Sequence, residues 1–146
     1  MSFHVKIEPF GGDAIELEPE STKKVTFRTD IPLDSNARTK DVGVTVILVG
    51  KIMSNAADTG TAADKTKSLA EWSIQGDFLQ SAYRKLTIEV HASGMVTRKY
   101  ELSDVFVVDY FENFDNQQGA GEYTLVLNQR KNKLKDVKVT GGFDIG

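Results

Sequence analysis

The side chains that could do chemistry are few in this chain, and they are scattered. There are two histidines, His4 and His91. An imidazole acts as a general base only when a positioned partner orients it. No neighbour in sequence supplies one. Both histidines fall on the polar phase of alternating segments, which reads as solvated strand residues. Three carboxylates, Asp109, Glu112 and Asp115, cluster in "DYFENFD". A calcium site needs several oxygens converging from a turn with ordered spacing. Here three aromatics, Tyr110, Phe111 and Phe114, interrupt the run, so metal binding competes with plain solvation at a strand exit. The segment "QRKNKLKDVKV" holds Arg130, Lys131, Lys133, Lys135 and Lys138. It admits three readings: lysines guarding an exposed strand edge, a protein interface, or a nucleic-acid patch. The stacking aromatics of single-strand binders are missing from it.

What is absent narrows the choice. There is no cysteine, which removes disulfides, thiolate catalysis and Cys-based zinc sites. No HExxH, GxSxG, GxGxxG or Walker-type loop occurs. Gly119-Ala120-Gly121 is too short for a phosphate cradle and reads as a hairpin tip. The expectation is a chain with no catalytic residues, no cofactor and no metal. The net charge of −3 gives no global field favouring nucleic acid. The longest nearly apolar run, Val42 to Val49, falls far short of the roughly 20 residues that span a bilayer. The opening "MSFHVKIEPF" has neither a basic start nor a long apolar stretch. Synthesis in the cytoplasm is the expectation, with no membrane insertion by this chain.

The elements behind these residues are mostly strands. Phe3 to Glu8 alternates, with Phe3, Val5 and Ile7 on one face. Gly11-Gly12-Asp13 is a turn. Val25 and Phe27 mark a second strand. Residues 30 to 41, "DIPLDSNARTKD", form a polar loop of a length that tends to be functional or disordered. Ile31 and Leu33 inside it either fold back onto the core or anchor a partner. Val42 to Ile52 is a buried strand, apolar on both faces around Ile47 to Val49. A small-residue stretch follows, and Thr61 or Asp64 could then cap one helix running to Ile74, with Gly76 as its stop. Leu69 and Trp72 share a face of it. A helix this short must pack on the sheet. Arg84 to His91 alternates, Ser93-Gly94 signals a hairpin, and Val96 to Leu102 returns. Val105 to Phe111, then Tyr123 to Leu127, then Val137 and Val139 complete the set. With 146 residues and no linker or repeat, one domain is expected across 1–146. The pattern predicts a mainly β domain: a small antiparallel barrel or sandwich of about eight strands with one short helix.

From Asp64 onward the order of elements becomes specific. "DKTKSLAEWSIQG", "YRKLTIEVHASG", "VTRKYELSDVFVVDYFEN" and "GEYTLVLNQRKNKLK" together resemble the haemolysin-coregulated protein and phage tail-tube family. The matching positions are Asp64-Lys65, Leu69, Gly76, Leu86 to Val90, Tyr100 to Leu102, Val105 to Val108, and Glu122 to Leu127. The resemblance covers the second half of the chain. It is of the kind seen in proteins encoded in phage-like contractile injection clusters. The stretch "SNAADTGTAA" has no counterpart in that pattern.

The resemblance implies a small β barrel that assembles into six-membered rings stacked as a hollow tube. That tube would be the inner rod of a phage tail, an R-type bacteriocin or a type VI-like device. It implies self-contacts within and between rings, and sheath and baseplate proteins as partners. It implies no sequence-specific nucleic-acid binding, and a final place in an assembled particle. Under it the loop residues Ile31, Leu33, Asn36, Arg38 and Lys40 become candidates for the subunit interface, with the two apolar residues as anchors and the cations at the rim. Two other readings stay open: a baseplate or hub adaptor of the same apparatus, and a ligand-binding β sandwich. The latter would want exposed aromatics on one face. A hydrolase would need a nucleophile–base pair that the sequence does not offer.

Overall fold

A computed structural model describes residues 1–30, 43–52, 65–75, 82–116, 121–129 and 137–142. Eight strands and one helix follow in chain order: β1 Ser2–Glu8, β2 Ile15–Leu17, β3 Thr22–Asp30, β4 Gly43–Ile52, α1 Thr66–Ile74, β5 Arg84–Ala92, β6 Met95–Asn113, β7 Gly121–Gln129 and β8 Lys138–Thr140. A short 3-10 turn, Pro19–Ser21, links β2 to β3. All ladders are antiparallel. The strand order is β2-β1-β5-β6-β7-β4-β3, and β8 also pairs with β6. Among the described residues the sheet does not close into a barrel by hydrogen bonds. It folds over on itself as a sandwich.

The fold-over happens within β6, which is 19 residues long. Its first half pairs with β5 on one edge and β8 on the other. Its second half pairs with β7. Sequence pattern alone splits this strand in two at Ser103-Asp104. The structure corrects that reading. Asp104 takes a left-handed conformation at φ 54°, which aspartate tolerates. The β5 register shifts there, between Arg84 and Leu86. A second irregularity lies between Val107 and Asp109. Bulges bend a strand without ending its ladder. Two of them carry β6 from one half of the sandwich into the other.

The core lies between the halves. Leu86 and Ile88 of β5 and Leu125 and Leu127 of β7 are fully buried, as the alternation predicts, and Val46 and Leu48 of β4 join them. Val90 is half-buried against them. Phe27 of β3 and Tyr100 of β6 stack with ring centroids 4.4 Å apart, tying the two half-sheets together. β1 packs beside β3 at the same seam. β2 was not foreseen; its three residues show too short a pattern, yet Ile15 and Leu17 are buried.

Helix α1 closes the core through Leu69 and Trp72, both buried as expected. The described helix runs Thr66–Ile74, and the capping candidates Thr61 and Asp64 lie outside the described residues. Tertiary contacts hold it at Trp72. The Trp72 indole Nε1 donates to the Ala82 carbonyl at 2.9 Å. The Arg84 guanidinium covers the ring at 4.8 Å.

A glycine is required at position 50. It faces Tyr123 across the β4–β7 ladder, and Tyr123 is fully buried. A β-carbon at Gly50 would overlap the Ser21 carbonyl oxygen and come within 2.6 Å of the Tyr123 ring. The bare backbone lets the phenol lie across β4 and reach the Thr22 hydroxyl at 3.4 Å. Gly50→Ala should therefore cost about 2–3 kcal/mol through overpacking, read as a lower urea midpoint. An unchanged midpoint would mean that the ring does not lie there.

Burial pushes the Tyr123 phenol above its ordinary value, with the Thr22 hydrogen bond opposing in part. The unfolded phenol ionises near pH 10. The folded one holds its proton to higher pH. Its contribution to stability is thus complete below pH about 10 and lost as pH rises through the folded value. Urea unfolding across that range should show falling stability, and Tyr123→Phe should flatten the slope.

Candidate assembly surface

The two histidines, 87 positions apart, meet on the outer face of β1 and β5. Their ring centroids are 4.4 Å apart and tilted by 50°. His91 Nε2 lies 2.9 Å from a Glu89 carboxylate oxygen, and Lys99 Nζ lies 3.8 Å from its other oxygen. His4, Lys6, Glu16, Thr87 and Glu89 border a shallow hollow of about 240 Å³. Charges of both signs border it. This half of the sandwich presents a polar, charged face. Sequence spacing could not show the pairing, because it depends on the β1–β5 register, in which His4 faces Glu89.

The other half is different. β4 sends Val44, Val46 and Leu48 into the core, while Ile47 and Val49 on its outer face are half-buried. In the ladders Ile47 faces Val126, and Val49 faces Thr124, which in turn faces Phe111. Beside this strip Phe111 is 45% exposed and Val108, at the β6 irregularity, is 50% exposed, while Phe114, 69% exposed, lies over Gly121 at the start of β7. Isolated exposed apolar residues are ordinary, but a grouped set marks a contact surface. The sequence signal was present in "VFVVDYFENF", where apolar residues occupy both phases of the strand.

Val105 is flanked by Arg84 of β5 on one side and Gln129 of β7 on the other. Beyond it β5 has ended. Residues 106–113 of β6 keep β7 on one edge, and among the described residues no strand pairs with the opposite edge.

The remaining sequence candidates divide. Asp109 and Glu112 are exposed on this part of β6, and Glu112 accepts a hydrogen bond from the Tyr110 hydroxyl at 2.6 Å. Asp115 follows on the exit. Among the described residues no three His, Asp or Glu side chains form a metal-binding group. Of the basic segment, Lys138 lies exposed in β8, and residues 130–136 fall outside the described residues. So do Ile31, Leu33, Asn36, Arg38 and Lys40. No helix among the described residues is long and apolar enough to cross a membrane.

No protein-family model matches this sequence, and no curated protein does. Solved structures do match. Hcp1 from E. coli EAEC 042, in a mutant form, superposes with a TM-score of 0.58 over 98% of this chain and 100% of that one, at 8% identity. Hcp1 from Flavobacterium johnsoniae gives 0.52 over 99% and 100%, at 14% identity. A chain of the PVC sheath–tube complex, an extracellular contractile injection system in its extended state, gives 0.51 over 95% and 88%, at 14% identity. The chain thus has the Hcp fold over nearly its whole length, at 8–14% identity to these structures.

Proposed function

We propose that this chain is a structural subunit of the inner tube of a contractile injection apparatus, assembling with itself as stacked rings. The observation that carries the reading is the whole-length likeness to Hcp1 and to a sheath–tube complex. The exposed Val108 and Phe111 of β6 offer such assembly an apolar contact. The role asks for shape and edges rather than a reactive group. Sheath and baseplate proteins of the same device are the further partners, and the assembled particle is the final location. Six-membered rings fit the resemblance. The loop residues Ile31, Leu33, Asn36, Arg38 and Lys40 remain proposed as a second contact, with the apolar pair as anchors against a neighbouring subunit.

Light scattering and negative-stain microscopy of the purified chain test this directly. Rings or tubes are expected, and a chain that stays monomeric at high concentration would overturn it in favour of an adaptor or ligand-binding role. Phe111→Ser sharpens the test. Phe111 is half-exposed, so its loss should change monomer stability by no more than about 0.5 kcal/mol. Loss of an aromatic interface anchor should weaken self-association roughly tenfold or more.

A further inference from the structure

We propose that His4 and His91 form a chelate for one divalent transition-metal ion of the kind that takes imidazoles at right angles, Cu2+ or Ni2+. Backbone register brings the two rings together. β1 and β5 pair from Ser2 against His91 to Glu8 against Lys85, so His4 and His91 sit diagonally on one face. Diagonal neighbours lie within reach of aromatic side chains. The ring centroids are 4.4 Å apart and the planes are tilted by 50°. Imidazole nitrogens hold such ions at about 2.0 Å. Two imidazoles on one ion then have ring centres roughly 4.5 Å apart at a right angle, and roughly 5 Å apart at the tetrahedral angle. The observed separation matches the right angle. His4 is exposed and can turn about its side-chain bonds to meet the ion.

Glu89 holds His91 in the form that binds metal. A carboxylate only accepts, so His91 Nε2, 2.9 Å from a Glu89 oxygen, carries the hydrogen of that bond. A neutral imidazole then keeps its lone pair on Nδ1. A carboxylate behind the other nitrogen is the usual support of a metal-bound histidine, because it fixes the tautomer, orients the ring and makes the ligand more basic. Lys99 Nζ, 3.8 Å from the second Glu89 oxygen, steadies that carboxylate. Glu89 is thus a positioning residue, and the ligands are the two imidazoles. The hollow bordered by His4, Lys6, Glu16, Thr87 and Glu89 admits water to the remaining positions on the ion. Lys6 and Lys99 offset Glu16 and Glu89, so the face has no excess of carboxylate to gather Ca2+ or Mg2+. Two imidazoles select softer ions, Cu2+ most strongly.

Isothermal titration of Cu2+ into the full chain, carrying no histidine tag, tests the site, with electron paramagnetic resonance counting the nitrogens on the ion. One ion per chain with two ring nitrogens is expected. His4→Ala and His91→Ala should each weaken binding roughly tenfold or more, and Glu89→Gln about tenfold. Glu89→Gln should keep both nitrogens in the spectrum, as a positioning role requires. Glu16→Gln removes the same charge from the rim of the hollow and should leave affinity within about twofold. Circular dichroism confirms the fold of each variant. A wild-type chain that binds Cu2+ no more tightly than the variant lacking both histidines would overturn the chelate. So would binding that is lost with one histidine and kept without the other. Equal losses in Glu89→Gln and Glu16→Gln would overturn the role given to Glu89.

Discussion

Backbone hydrogen bonding along β6 has to be satisfied over nineteen residues by three different neighbours, and the rest of the fold is arranged to do this. A straight strand of that length would project beyond any single sheet of this size. The irregularities at Ser103-Asp104 and Val107–Asp109 let it turn while staying paired. One half-sheet grows outward from its first half and the other from its second. The seam opposite is closed by side chains, with Phe27 stacked on Tyr100. Helix α1 then fills the remaining opening with Leu69 and Trp72. The cost of this arrangement is an edge of β6 that the described strands do not cover.

Much of this was legible in the residues. Period-two alternation placed Leu86, Ile88, Leu125 and Leu127 in the core, and spacing placed Leu69 and Trp72 on the packed face of the helix. Resemblance of the second half of the chain supplied the fold family. Three things were not legible, each for a physical reason. Strand β2 is too short to show a period. The continuity of β6 was hidden because Ser-Asp reads locally as a turn, and only the ladders on either side hold it as strand. The meeting of His4 and His91 depends on register between segments far apart in sequence. The interface loop proposed from sequence falls outside the described residues, so the surface argued from structure is a different one. Its apolar residues were visible, but as a strand that looked merely buried.

The two faces of the sandwich suit different surroundings. The β1–β5 face alternates charges, with Glu89 placed between His91 and Lys99. Such pairs add little stability and keep a surface wet. The β4–β7 face carries an apolar strip that continues into the exposed residues of β6. A subunit built this way has one side that tolerates water and one that gains from being covered. That asymmetry is what a part needs when it must stack against copies of itself in one orientation.

The glycine under the Tyr123 ring has a consequence for how the chain finds its fold. β4 is apolar on both faces, so burial alone barely distinguishes the correct alignment of β4 on β7 from one shifted by a residue. The tyrosine breaks the tie. A shift would bring Val49 or Lys51 beneath the phenol, where there is room only for a hydrogen atom. At the other end of the same ladder, the Thr45 hydroxyl finds the Asn128 side-chain oxygen at 2.9 Å only in the native alignment. A large ring over a missing side chain thus acts as a detent, rejecting near-miss sheets that the hydrophobic effect would accept.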